Sequence, residues 1–238
     1  MATVYTPLLY HSNYGVGGSR FKLLFEYLKT YHIKSCGIAD ETLFGLPEFI
    51  HYAKIYNIQP IVGARVLLPA AHKRTTLYLF VKNQQGYRNL CQILTKQAFA
   101  KLDLAFIKEH ATGLVLLSHS IELLRALQST FKDLYYLVLP YHTVLRNEFP
   151  PLAAQKIFYV TRKEKILHKL MCAIKDKTYE CMAGTPHHLL TDKEFNKLFT
   201  DYPEAIMNNQ KLANLCTFVP ENKGWIFPQS KQRLDEII

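Results

Sequence analysis

Apolar positions along this chain follow two periods. Seven short runs rich in β-branched and aromatic residues, "TVYTPLLY", "SCGIAD", "QPIVGARVLL", "TLYLFVK", "GLVLLSH", "LYYLVLP" and "KIFYVTR", have the length and composition of buried strands. Between them lie amphipathic helical patterns. "RFKLLFEYLKTYH" puts Phe21, Leu24, Phe25 and Leu28 on one face, and "LPEFIHYAKIYN" and "GYRNLCQILTKQAF" repeat that spacing. The alternation predicts βα units around a parallel sheet. Seven strand candidates with helices outside favour a barrel over an open sheet.

The strand signal stops after Lys163. Helices are predicted over "EKILHKLMCAIKDK", over "TDKEFNKLFTD", opened by Thr191 as a cap with Glu194 three residues on, and over "PEAIMNNQKLANLC", opened by Pro203. The last stretch, "FVPENKGWIFPQSKQRLDEII", has the punctuation of a linker. The pattern divides the chain into a domain over 1–217, with a core to about residue 177 and a helical extension over about 178–217, and a linker over 218–238.

Composition adds two points. With 238 residues, 49% of them hydrophobic, the chain is long enough for a substantial core, and its formal charge of +10 favours polyanionic partners. DNA held weakly through its phosphates is the expected form of such binding. No apolar run reaches the roughly 18 residues of a membrane span, and the N-terminus lacks a basic segment followed by an apolar one, so a cytoplasmic chain with no membrane partner is expected. Cys36, Cys91, Cys172, Cys181 and Cys216 are scattered without a CxxC pair and read as reduced, buried and structural.

In a β/α barrel the chemistry sits at the carboxyl ends of the strands. Those ends here carry His11, then Asp40 and Glu41, Arg65, Ser118 and His119, His142, and finally Arg162 and Lys163. Three histidines and two carboxylates suit a metal site by type. Arg65, Arg162, Lys163 and Lys165 at the same ends oppose a multinuclear cation centre. His187 and His188 read as a solvated loop pair, and His32, His51, His72, His110 and His168 as surface residues.

The segments "HSNYGVGGS", "GIADETLFGLPEFIHYAKIYNIQPIVGARV", "LYLFVKNQQGYRNLCQILTKQ", "GLVLLSHS" and "LFTDYPEAIMNNQKLANLC" resemble, in order, the polymerase-and-histidinol-phosphatase (PHP) domain at the N-terminus of the bacterial DNA polymerase III alpha subunit. That resemblance implies a distorted seven-stranded (β/α) barrel with a C-terminal helical extension. It implies, in active members, up to three metal ions held by dispersed His, Asp, Glu and Cys. The family's His-x-His falls on Leu9 and His11, so its first ligand is lost. Its Asp-His pair falls on Asp40 and Glu41, and the acid after its "PIVG" strand on Arg65. A later Cys or His falls at Ser120 or His119, and another His at His142. The last motif, Asn-Asp-x-His, is replaced by Arg162, Lys163, Glu164 and Lys165.

His11 and Asp40 are then relic positions, and Leu9, Arg65, Lys163 and Lys165 are losses. Arg65 would take over the metal's charge by pairing with Asp40 or Glu41. The expectation is a domain with no metal cofactor and no activity of its own, a structural or docking module for a polymerase catalytic region in cis or in trans, whose parent would be a DNA-directed DNA polymerase. The terminal helices and the cluster Trp225, Ile226 and Phe227 would present apolar residues to that partner. Two other readings stay open. One is a zinc- or manganese-dependent phosphoesterase or 3′-5′ exonuclease using His11, Asp40, Glu41, His119 and His142, and the other is a free-standing basic DNA-binding domain.

Overall fold

A computed structural model describes residues 5–68, 75–140, 148–176 and 187–221. His72, His142, Cys181 and the cluster Trp225, Ile226 and Phe227 lie outside these residues. The strands in chain order are β1 (Leu9–Tyr10), β2 (Ser35–Gly37), β3 (Gln59–Ile61), β4 (Gly63–Leu68), β5 (Thr75–Val81), β6 (Leu114–Ser118), β7 (Asp133–Val138), β8 (Pro151–Ala153) and β9 (Lys156–Ile157). The helices are α1 (Phe21–Thr30), α2 (Leu46–Tyr56), α3 (Gln84–Phe99), α4 (Leu104–Glu109), α5 (Ile121–Leu127), α6 (Lys165–Asp176), α7 (Asp192–Leu198) and α8 (Pro203–Leu215). The fold is mixed α/β and rich in parallel pairings.

β4 to β8 form a five-stranded sheet in sequential order, β1 pairs with β9, and β2 pairs with β3. The pairings β1–β9, β2–β3, β6–β7 and β7–β8 are parallel. β5 runs antiparallel to both of its neighbours, which corrects the all-parallel expectation. The reason lies in loop length: only six residues separate β4 from β5, too few for the crossover that a parallel pair requires. Backbone bonds on the two sides of β2 tie the β2–β3 pair to the β1–β9 pair, from Gly37 N to Pro7 O (2.8 Å) and from Ala39 N to Tyr10 O (2.8 Å).

Alternation along the strands sorts side chains onto two faces, as a period of two must. Leu77, Leu79 and Val81 join a core cluster with α1, α2 and α3, while Tyr78 and Phe80 point into a second cluster with Leu9, Ile61, Leu117, Leu137 and Leu152. α8 closes that second cluster from the amino ends of the strands with Leu212 and Ala213, and Cys216 follows. α7 supplies Phe195, whose ring stacks on Tyr5 at 4.0 Å. The terminal helices therefore turn Phe195, Ile206 and Leu212 inward, while Met207 on α8 faces outward. Their starts follow the sequence: Thr191 and Glu194 form a reciprocal capping box, and Pro203 opens α8. Helices α4 and α5 and strand β8 went unread in the sequence pattern because each is at most seven residues long, too short to display a period.

Candidate functional site

The carboxyl ends of β1 and β2 bring His11 and Asp40 together, both buried. After β1 the chain turns back on itself in "HSNYGVGG". Gly15 N and Gly17 N both donate to Ser12 O, at 3.0 and 2.9 Å, and Gly18 N donates to Phe158 O at 2.6 Å. A Cβ on Gly17 would lie 2.0 Å from the His11 carbonyl oxygen, so close approach of backbone requires glycine there. The turn aims Ser12 at Asp40. Ser12 N donates to Oδ1 at 2.8 Å and Ser12 Oγ to Oδ2 at 2.5 Å, so both carboxylate oxygens are engaged by one residue.

His11 lies beside this pair, its Nδ1 4.0 Å from Asp40 Oδ1 and its Nε2 buried without a hydrogen-bond partner. Burial first, and then the nearby Arg65 and Lys156 charges, hold the imidazole well below its ordinary pKa, so it is neutral. Arg65 reaches the same place from β4, and its guanidinium stands 3.8 Å from Glu41 Oε1 with Nε buried and unpartnered. The backbone reinforces the join, since Arg65 N donates to Asp40 O at 2.9 Å. His11, Asp40, Glu41 and Arg65 line one cleft of about 300 Å³, closed by Tyr14, Gly15, Val16 and Phe44.

Not every candidate reaches this cleft. Leu9 is buried in the strand-face core, and His119 is exposed beyond β6. Arg162, Lys163 and Lys165 are exposed where α6 begins. Within "RKEK" the residue that turns inward is Glu164, whose Oε2 accepts from Ser19 Oγ at 2.6 Å and from Thr161 N at 3.0 Å. The Thr161 and Glu164 spacing is a capping box visible in the sequence.

Two histidines expected at the surface are buried. His168 donates from Nδ1 to the Val16 carbonyl at 2.5 Å, and its ring stacks on Phe158 at 4.4 Å. His187 donates from Nδ1 to Lys156 O at 3.3 Å, and its Nε2 is buried without a partner. Phe158 also stacks on His11 at 4.8 Å, so one phenyl ring gathers three imidazoles. The reading as loop and surface failed because His168 sits with Cys172 at i, i+4 on the narrow face by which α6 touches the body. His188 is half-buried, and Cys91 is too, unlike the buried Cys36, Cys172 and Cys216.

Among the described residues, this arrangement does not fit a metal centre. Both Asp40 oxygens already accept from Ser12, a guanidinium stands against Glu41, and among the described residues no three His, Cys, Asp or Glu side chains come together so as to hold an ion. A cation entering the cleft would meet a fixed positive charge.

A family model described as "PHP domain" matches residues 8–149. Among curated proteins, the chain is 24% identical over 277 residues to the DNA polymerase III subunit alpha of Helicobacter pylori, covering 89% of this chain and 23% of that protein. It is 27% identical over 260 residues to the counterpart from Vibrio cholerae, covering 87% of this chain and 22% of the relative. The chain thus spans about a quarter of the length of the relatives it matches. Among solved structures, a protein from Bifidobacterium adolescentis described as a metal-dependent phosphoesterase superposes with a TM-score of 0.38 at 10% identity, over 82% of this chain and 95% of that one.

Proposed function

This chain belongs to the PHP domain family, and from that premise we propose that it is a metal-free, catalytically silent domain of the kind found at the N-terminus of a bacterial replicative polymerase, acting as a structural and docking module. The observation that carries the reading is Arg65, held 3.8 Å from Glu41 in the cleft where active members of the family would coordinate metal. Leu9, Lys163 and Lys165, at further ligand positions, offer no metal donor at neutral pH. The frame we assign is a distorted seven-stranded ring in which β3 with β4, and β8 with β9, each count as one strand. The backbone bonds between the β1–β9 and β2–β3 pairs and the shared inner cluster support it. The domain spans 1–217 with a linker from 218, and its setting is the bacterial cytoplasm during DNA replication.

The partner in this reading is a polymerase catalytic region, because the relatives carry about three-quarters of their length beyond the part that matches. Co-expression with such a region lacking its own N-terminal domain yields a complex or a clear rise in its thermal stability, and Trp225→Ala weakens the association. Separate elution at micromolar concentration with no mutual stabilisation overturns the docking role. The alternative, a zinc or manganese phosphoesterase or exonuclease with a reduced site, is favoured by one observation, the unpartnered His11 Nε2. It requires hydrolysis of phosphomonoesters or DNA 3′ ends that disappears in His11→Ala.

A further inference from the structure

Helix α6 is turned the wrong way round for a helix that serves only its own fold. In "KILHKLMCAIKD" the residues facing the body are His168 and Cys172, both buried, while Ile166 is 71% exposed, Leu170 56% and Ile174 70%. Leu167, at 48% exposure, continues the stripe. At about 100° per residue these four side chains share one continuous arc. An amphipathic helix normally buries that arc against its own core.

The charges at the start of the helix are equally out of place for the isolated fold. Arg162, Lys163 and Lys165 are all exposed at or near its N-terminal end. That end already carries the positive pole of the helix dipole, where acidic side chains are favoured. Of the acids nearby, Glu164 is spent inward on Ser19 and the backbone of Val160 and Thr161, and Glu194, whose carboxylate feels Arg162, is held in the capping box of α7. An apolar stripe headed by three cations and a positive helix pole is complementary to an apolar groove rimmed by carboxylates. A second copy of this chain fits poorly, because its net charge of +10 sets like charges against one another.

We propose that the exposed face of α6 is a docking surface for a protein partner with an acidic-rimmed apolar groove, and that in the polymerase setting proposed above this groove belongs to the catalytic region. The site rests on that reading and gives it a location.

The test uses the full chain and three forms of it: wild type, Leu170→Asp/Ile174→Asp, and Ile55→Asp as a control on α2, where Ile55 is 59% exposed. Binding to the polymerase catalytic region is measured by titration at low and high salt, with thermal melting of each variant alone. The expected result is binding by wild type and control, weakened by salt, and at least tenfold weaker binding by the α6 variant, which melts no lower than wild type. Equal binding by all three overturns the α6 surface while leaving polymerase docking standing, and absence of binding by wild type overturns both. Flotation with phosphatidylglycerol vesicles that requires Leu170 and Ile174, or α6-dependent dimerisation in sedimentation, overturns the assignment to an acidic protein groove in favour of a membrane or a second copy.

Discussion

The two ends of the strand assembly bury polar groups in opposite ways. At the amino ends, α8 places Asn209 in the core, where Oδ1 accepts from Thr6 N at 3.0 Å and Nδ2 donates to Thr6 O and Ala153 O, each at 3.0 Å. Asn208 donates to Pro151 O at 2.7 Å, and Gln59 donates to Ala213 O at 2.8 Å. Apart from the Tyr5 hydroxyl, buried and unpartnered against Phe195, the buried side-chain polar atoms of the described residues at that end have partners. At the carboxyl ends, His11 Nε2, Arg65 Nε and His187 Nε2 are buried with no partner. Buried polar groups without partners cost stability, so a set of them clustered at one end marks residues that did not arise to hold the fold. The amino end is a structural lock. The carboxyl end keeps the composition of a site, with buried polar atoms that the fold itself leaves without partners.

The sharpest way to break this contrast is to strip the lock. Asn209→Ala leaves two carbonyls and one amide buried without partners, and an unfolding free-energy loss of about 3 kcal/mol or more is expected by denaturant titration. A loss below about 1 kcal/mol would show that the two ends are not energetically different.

Next in size is the turn after β1. Gly17→Ala forces a methyl group onto the His11 carbonyl at a separation that no side-chain motion relieves, and a loss of about 1–3 kcal/mol is expected on the scale of overpacked interiors.

Acid should act through the carboxyl end. Burial lowers the pKa of His187, with the charges of Lys156, Lys165 and a protonated His168 acting in the same direction, while its bond to the Lys156 carbonyl opposes them. His11 is lowered further. A depressed native pKa means that the unfolded chain binds more protons below its ordinary value near 6.5, so stability is complete above that pH and declines as pH falls through it. Thermal melting at pH 7.5 and 5.5 should reveal the decline, and His187→Gln should reduce it. The smallest effect belongs to Arg65. Its pair with the half-exposed Glu41 is long and its Nε is unpartnered, so Arg65→Met should change stability by no more than about 1 kcal/mol in either direction.

How much of this was legible in the sequence differs between the ends as well. Strands β4 to β7, helices α1 to α3 and the starts of α7 and α8 follow from periodicity and caps, because each is long or carries a capping signature. His11, Asp40, Glu41 and Arg65 were legible as a group because strand ends converge in a β/α fold, and the structure brings these four into one cleft. Beyond the short elements α4, α5 and β8, three things were not legible. The antiparallel placement of β5 depends on the length of a loop. The burial of His168 and His187 depends on Phe158, whose ring partners His11, His168 and His187 lie 147, 10 and 29 residues away in sequence. The outward face of α6 contradicts the rule by which an apolar stripe is read as core, and no local pattern announces such an exception.

The central claim is that the carboxyl-end cleft is no longer a metal centre, and elemental analysis of the untagged chain, purified without chelator and dialysed against zinc and manganese in turn, addresses it most directly. The account predicts no stoichiometric zinc, manganese or iron, whether or not His11 is present. One or more ions per chain, retained through dialysis and lost in His11→Ala, would contradict it.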